Sequence, residues 1–441
     1  MATETRQKQP PLISVSDVTH LYHKGASADI LVLDGVDVTV NDHEIVALLG
    51  RSGSGKSTLL RIISGLISPN AGTVSVAGQE VSGPAKGLAM VFQSFALFPW
   101  LTVLQNVELG LEAQGVPAAE RRTRALAAID LIGLDGFESA YPKEISGGMR
   151  QRVGLARALV VQPKVLLMDE PFSALDVLTA ETLRTDLLDM WSEGRMPMQA
   201  ILMVTHNIEE AVLMCDRILV FSSNPGRVIA EIKVNLPRPR NREDASFREM
   251  VDDIYGRMTK GFSASAKGAA KEGLFPGSGI GMILPRVSTN TMSGLMETVA
   301  EKPFSGKADL PLIAERAQME ADELFLAAET LQLLRFADLA DGDLRLTPDG
   351  LRFVGQGVDE RKAMFREHLI KYVPLAAHIK RILDERPSHR APLLRFQDEL
   401  EDHMSEEAAE NTIRNVINWS RYAEAFSYDE SSGTLSLENP S

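Results

Sequence analysis

Nine residues constrain the fold of this chain more than any other stretch: Gly50-Arg-Ser-Gly-Ser-Gly-Lys56-Ser57-Thr58, which follows the apolar run Ile45-Val-Ala-Leu-Leu49 and opens into Leu59-Leu-Arg-Ile-Ile63. A glycine-rich turn between a buried strand and a helix is where backbone N–H groups can converge on phosphate oxygens. Gly50, Gly53 and Gly55 permit that approach, Ser52 and Thr58 lie in the same loop, and the helix N-terminus adds partial positive charge. Lys56 is expected to reach the β and γ oxygens of a nucleotide, and Ser57 to ligate Mg²⁺. A chance glycine-rich turn needs neither the strand before it nor the helix after it.

The rest of the chain must be divided to fit around this loop, because 441 residues exceed one ordinary domain. Short β-branched runs alternate with helical patterns over roughly the first half, the rhythm of an α/β domain with a mainly parallel sheet. Ile45–Leu49, Val165–Met168, Ala200–Val204 and Arg217–Phe221 read as buried strands, and Ile13–Val18 and Val32–Val40 as an antiparallel layer. With 44% hydrophobic residues, no window approaches the roughly 18 to 20 consecutive apolar residues of a membrane span. The first ten residues have no apolar core like that of a secretory signal, and Cys215 is the lone cysteine, so a cytoplasmic location is expected and neither an internal disulfide nor a cysteine metal site. Cys215 reads as a small buried apolar residue.

Val165-Leu-Leu-Met-Asp169-Glu170-Pro171 is an apolar strand ending in two adjacent carboxylates. Strand alternation sends their side chains in different directions. Asp169 can then sit near the Mg²⁺ shell while Glu170 faces an attacking water as general base; alternatively the pair is a solvated strand end.

Just before that strand, Ile145-Ser146-Gly147-Gly148-Met149-Arg150-Gln151-Arg152 resembles the signature segment of ABC (ATP-binding cassette) ATPases. The resemblance implies a head-to-tail homodimer, in which Ser146, Gly147 and Gly148 of one copy close on the ATP held by the other. Met149 departs from the commoner glutamine. It further implies that Gln93, in Met90-Val-Phe-Gln-Ser94, senses Mg²⁺ and the attacking water. Ser173-Ala-Leu-Asp176 would couple the two sites, and His206, in Val204-Thr-His-Asn207, would contact the γ-phosphate. Tyr22, in His20-Leu-Tyr-His23, would stack on adenine. The bland alternatives are a structural strand-end histidine at 206 and a merely packed tyrosine at 22.

A cassette without a membrane span serves either a separate permease or a soluble task. The segment Phe95-Ala-Leu-Phe-Pro-Trp100-Leu-Thr-Val-Leu-Gln-Asn-Val107 lies where importer subunits receive the permease's cytoplasmic coupling helix, unless Phe98 and Trp100 belong to the core. With Asn224–Arg240 it resembles the nitrate/sulfonate/taurine/bicarbonate importer ATPases. The resemblance implies a peripheral subunit at the cytoplasmic face of the membrane. Its partners would be permease subunits and, indirectly, a solute-binding protein. The solute itself is not written in the chain.

Beyond a Pro/Gly/Ser-rich stretch, three helical patterns and a hairpin signal at Asp341-Gly342 describe a winged helix. Leu375–Glu385, Leu393–His403 and Glu406–Tyr422 repeat it. This half resembles an appendage known only as an ATPase-associated domain. Of the net charge of −14, −10 lies after Pro285, and the helices that would enter a DNA groove are acidic, so no nucleic-acid partner is expected. Protein interaction, self-regulation or small-ligand sensing remain. The basic stretch from His378 to Arg395 is the counter-indication, readable as a solvated helix face. The expected organisation is a disordered N-terminus (1–12) and an α/β P-loop ABC nucleotide-binding domain with antiparallel β layer and helical subdomain (13–245). A connector (246–290) leads to a mainly α tandem winged-helix-like C-terminal domain (291–358 and 359–441).

Overall fold

The computed structural model describes residues 10–24, 27–222, 225–268, 275, 279–340 and 342–437, and at 23, 24, 27–29 and 259–268 the backbone alone. Residues 1–9 of the expected disordered N-terminus and Asp341 of the expected turn lie outside the described residues. Leu12 does not belong to a disordered segment: its carbonyl accepts from Ala77 N at 2.7 Å. Two compact units divide the chain, the first made of Met1–Tyr22 and Leu31–Phe247 and the second of His23–Ile30 and Arg248–Ser441.

In chain order the first part of the chain, whose elements lie in the first unit except at the adjoining ends of β1 and β2, comprises β1 (Ile13–Lys24), β2 (Ser27–Val40), β3 (Glu44–Leu49), α1 (Lys56–Ile63), β4 (Ala71–Val76), β5 (Gln79–Glu80), β6 (Leu88–Val91), α2 (Val103–Ala113) and α3 (Ala118–Leu131). There follow α4 (Gly147–Leu159), β7 (Val165–Asp169), α5 (Val177–Ser192), β8 (Ala200–Thr205), α6 (Ile208–Met214), β9 (Arg217–Phe221) and β10 (Val228–Lys233). The central sheet runs β10-β9-β3-β8-β7-β6, parallel except for β10. A second sheet has the order β2-β1-β4-β5, with β4 antiparallel to both neighbours.

Parallel strands covered on both faces read as continuous apolar runs, and β3, β7 and β8 do so. One face of the central sheet carries Val46, Leu48, Val165, Leu167, Leu202, Val204 and Leu219. These pack with Leu59, Leu60, Ile62 and Ile63 of α1 and with Ile13, Val15, Val36 and Val38 of the antiparallel layer. Each such side chain contributes roughly 1.5–3 kcal/mol of burial before entropy is charged against it. This layering puts the C-terminal ends of β3, β8, β7 and β6 side by side at one edge, where open α/β sheets bind ligands.

The Pro-Arg-Pro-Arg run Pro237–Arg240 belongs to no helix or strand and is fastened by its arginines. Arg240 Nη1 donates to the carbonyls of Val212 and Cys215, both at 2.7 Å, and Arg238 Nη2 to that of Met214 at 2.6 Å. The α6 C-terminal carbonyls thereby gain partners.

α7 (Ala245–Gly268) carries the chain into the second unit and makes the first part of the expected connector a helix, with Val251, Ile254, Tyr255 and Met258 buried. Tyr255 stacks obliquely on Phe325 at 5.6 Å. Two repeats follow. The first is α8 (Thr289–Ala300), β11 (Lys307–Asp309), α9 (Leu310–Ala317), α10 (Ala321–Leu333), β12 (Ala337–Ala340) and β13 (Asp343–Leu346). After α11 (Pro348–Gly355) and α12 (Val358–Tyr372) comes the second: α13 (Pro374–Glu385), β14 (Arg390–Pro392), α14 (Leu393–Glu401), α15 (Glu406–Ala423), β15 (Ser427–Asp429) and β16 (Thr434–Ser436). The sheet orders β11-β13-β12 and β14-β16-β15 are equivalent, and in each the first strand's alanine faces a buried leucine, Ala308 against Leu344 and Ala391 against Leu435.

Short strands β11 and β14 carry too few residues for a period-2 pattern. The end of the expected connector is also not loose. Leu284 N donates to Thr412 Oγ1 at 3.3 Å, Asn415 Nδ2 to Pro285 O at 3.1 Å, and Trp419 Nε1 to Val287 O at 2.7 Å, binding residues 284–287 along α15. Among the described residues no helix is long and apolar enough to cross a membrane.

Candidate functional site

The loop between β3 and α1 keeps the form its glycines allow. Gly53 and Gly55 take φ of 79° and 86°, and a Cβ on Gly55 would lie 2.8 Å from Leu33 Cδ2, so only glycine lets this turn close against β2. Ser54, Lys56 and Thr58 are buried, while Ser52 and Gly53 face outward. The Lys56 ammonium donates to Gly50 O at 2.6 Å, Arg51 O at 2.7 Å and Ser54 Oγ at 3.1 Å. An ammonium nested in three oxygens beside a helix N-terminus is a cationic pole where phosphate oxygens can be received.

Across from it, Ser57 Oγ donates to Asp169 Oδ1 at 2.7 Å, joining residues 112 apart in sequence. Burial pushes the Asp169 carboxyl above its usual range; the Ser57 hydroxyl offsets part of this and the adjacent Glu170 adds to it. A carboxylate whose charge burial disfavours, next to a hydroxyl oxygen and opening toward a phosphate loop, suits a small hard dication. Mg²⁺ therefore fits the donors present, as does a nucleotide the cradle.

Glu170 takes φ 45°, the left-handed region that non-glycine residues rarely enter, and its N–H donates to Val204 O at 3.1 Å. That backbone turns its carboxylate away from Asp169. Gln93 Nε2 donates to Glu170 Oε2 at 3.0 Å and reaches Ser173 Oγ at 3.3 Å, while Ser173 Oγ donates to Glu170 O at 3.0 Å. His206 Nδ1 stands 3.4 Å from Glu170 Oε2. The His206 interaction holds the Glu170 carboxyl below its usual range against the opposite pull of burial. A carboxylate kept ionised is able to accept a proton.

Ser146 caps α4, accepting from Met149 N at 3.2 Å, and is exposed. Gly147 lies beside it. A Cβ on Gly148 would come 2.2 Å from Thr179 Cγ2, which seats the start of α4 against the start of α5. Asp176 caps α5 by accepting from Thr179 N at 3.1 Å. Val177 and Leu178, just after it, are each 79% exposed. Tyr22 is 41% exposed, its ring edge-on to His20 at 4.8 Å, so it is not a core tyrosine.

Phe98 and Trp100 are 41% and 69% exposed and lie 5.4 Å apart, which removes the core reading of both. Two anchors that the sequence reading passed over hold this loop. Asn106, fully buried in α2, accepts from Phe98 N at 2.9 Å and donates to Leu101 O and Thr102 O, each at 3.0 Å. Arg157, near the end of α4, donates to Ala96 O at 2.6 Å and Phe95 O at 3.0 Å. Their signal was a polar residue inside an apolar helical run, Val103-Leu-Gln-Asn-Val107 and Leu155-Ala-Arg-Ala-Leu159.

Residues 33–173 match the ABC transporter family, and residues 311–429 the C-terminal AAA-associated domain. The chain is 46% identical over 267 residues to the nitrate import ATP-binding protein NrtD of Synechocystis, spanning 58% of this chain and 99% of that protein. It is 39% identical over 268 residues to the bicarbonate transport ATP-binding protein CmpD of the same organism, spanning 58% and 94%. To the taurine import ATP-binding protein TauB of Burkholderia thailandensis it is 45% identical over 236 residues, spanning 54% and 88%. With a phosphate cradle on β3 and likeness over nearly the whole of such relatives, the chain belongs to the ABC transporter family as an ATP-binding subunit, and its first unit is an ATPase cassette.

Proposed function

We propose that two copies of this chain sandwich two Mg-ATP and use their hydrolysis to drive uptake of a small anion through a separate membrane permease. The observation that carries the chemistry is the gathering of Gln93 and His206 on the Glu170 carboxylate, at 3.0 and 3.4 Å, on the same sheet edge as the Ser57–Asp169 pair.

Lys56 and the loop from Gly50 to Thr58 hold the phosphates, and Ser57, Asp169 and Gln93 hold the metal. When bound, Mg²⁺ neutralises charge developing on the phosphate oxygens. Glu170 takes the proton of the attacking water, and His206 keeps that carboxyl ionised and meets the γ-phosphate. Tyr22 offers its open ring to adenine. Ser146, Gly147, Gly148 and Asp176 close on the partner copy's nucleotide. Exposed Val177 and Leu178 are apolar surface that such a dimer would cover.

Relatives named for nitrate import, bicarbonate transport and taurine import support a small solute bearing an anionic oxo group, a free anion in the first two and a zwitterion's sulfonate in the third, delivered to the permease by a solute-binding protein. The subunit then works at the cytoplasmic face of the membrane. The exposed Phe98–Trp100 pair is the surface offered to the permease. For the second unit a regulatory or assembly role is favoured over nucleic-acid binding. Of its basic stretch, His378 and Arg395 are spent on Glu399, at 2.7 and 3.0 Å. Pull-down of permease subunits from solubilised membranes tests the reading: the native chain should recover them, and Phe98→Ala with Trp100→Ala should lose most of that recovery at unchanged ATP affinity. Undiminished recovery would remove these two rings from the docking surface.

A further inference from the structure

Between Gln93 and the exposed aromatics the chain takes two consecutive left-handed residues, Phe95 at φ 62° and Ala96 at φ 48°. Such a turn in non-glycine residues persists only where the surroundings hold it. Both of its carbonyls point to one side chain: Arg157 gives Nη1 to Ala96 and Nη2 to Phe95. Burial works against the guanidinium charge, and the two carbonyl dipoles answer it. The contact continues along α4. Arg150 stands over the Phe95 ring at 6.0 Å, and a Cβ on Gly154 would meet Phe95 O at 3.6 Å. Positions 150, 154 and 157 follow the i, i+4, i+7 spacing of a single helix face. At the other end of the same 13-residue helix, about 20 Å long, sits Ser146.

We propose that Arg157 is a positioning residue that makes the 95–98 loop and α4 one body, so that displacement of the Phe98–Trp100 surface is delivered directly to Ser146. A fork of two charge-assisted hydrogen bonds fixes both distance and orientation, which a single contact would not. The helix carries the motion because its backbone bonds make it stiffer than the loop. The Gln93 contact with Glu170 is a second, separate route from the same loop. The coupling part of this inference rests on the permease-facing reading of Phe98 and Trp100; the clamp itself does not.

Arg157→Gln in the full chain tests both. Reconstituted with permease, it should keep ATP affinity and basal turnover within about twofold, with no change in KM, while the ratio of permease-stimulated to basal rate falls at least fivefold. Arg157→Lys, with one nitrogen in place of the fork, should fall between. A ratio equal to that of the unaltered chain in both variants overturns the proposal. Hydrogen exchange of the isolated chain on adding Mg-ATP reads the clamp without a permease. Amides of 94–101 and 146–150 should change together in the unaltered chain, whereas only 146–150 should change in Arg157→Gln. Joint response in Arg157→Gln, or independent response in the unaltered chain, overturns the clamp. If the permease fails to stimulate even the unaltered chain, the docking reading falls while exchange still decides the clamp. Should Arg157→Gln not fold, Arg157→Lys carries the same measurements.

Discussion

At the scale of single residues the site depends on where one carboxylate points. Glu170 leaves β7 through a left-handed turn, and its Oε2 collects Gln93 and His206 while Asp169 stays with Ser57. Glu170→Gln retains an oxygen that can accept from Gln93 and removes only the basicity, so it separates chemistry from architecture. Phosphate release should fall about 10²- to 10⁴-fold, the ordinary contribution of a general base, while titration with a fluorescent nucleotide gives affinity within a few-fold. Turnover within a few-fold of the unaltered chain would take Glu170 out of that role. Four of the expected site residues, Gly50, Gly53, Gly55 and Lys56, were legible because a local loop makes their chemistry. The company of Glu170 was not legible in the residues themselves, and only the family resemblance put Gln93 and His206 at the same water and phosphate, since Gln93 lies 77 residues away in sequence.

At the scale of elements, the clearest new behaviour lies where β11 meets α9. Asp309 precedes α9 at the N-cap position, and its carboxyl is raised to about 6, chiefly by burial and then by Asp252 of α7 and Asp343 of β13, with Lys307 of β11 opposing. A carboxyl whose folded pKa exceeds its unfolded value of 3.8 makes the fold bind protons more tightly than the unfolded chain. Its effect is absent at low pH and grows as a penalty while pH rises from about 4 through about 6, levelling off above. Partial exposure screens it, so the penalty is a fraction of what the shift alone would give. The Asp309 side chain makes no capping hydrogen bond to α9, so Asp309→Asn keeps its size and removes the charge without losing a cap. The melting temperature of the second unit should therefore rise at pH 7.5 and stay unchanged at pH 4, as read by calorimetry. A lower value at pH 7.5 would show that the carboxylate is stabilising as it stands, and an unchanged one that it carries no net penalty. Helices α8, α9 and α10 and the β12–β13 hairpin were expected from periodicity. α12 was not, because only Phe365, His368 and Leu369 of its fifteen residues are buried, too narrow a stripe to stand out.

At the scale of the whole molecule there are two compact units, and each has its own core. Every expected nucleotide group lies before Asp216, within the first unit, while the hydrogen bonds that order residues 284–287 are made within the second. A chain ending at Glu249 should bind ATP with the affinity of the full chain, and its basal or permease-stimulated rate should differ measurably if the second unit regulates. In the full chain, heating should give two transitions. Mg-ATP at a hundredfold excess over its Kd should shift only one, by roughly 5–10 °C, the equivalent of about 2.7 kcal/mol in a unit of this size. A single transition moving as a whole would mean that the units unfold as one, and a folded truncation unable to bind ATP would break the independence of the cassette.

What the sequence determined by itself was whatever a few neighbouring residues can encode. The phosphate loop, the buried strand ending in Asp169 and Glu170 and the signature cap at Ser146 each have a spacing no longer than an element, and the doubled winged-helix rhythm is a succession of such local patterns. Tertiary structure alone decided which distant groups meet: Ser57 with Asp169, Gln93 with Glu170, Arg157 with the carbonyls of Phe95 and Ala96, and Trp419 with Val287. It also decided that Phe98 and Trp100 face outward, although their residue types alone suit a core equally well. The reason is physical: a side chain's hydrogen bond to a group 61 to 132 residues away leaves no periodic trace, because its cost and its gain are settled only when the packed layers bring the two ends together.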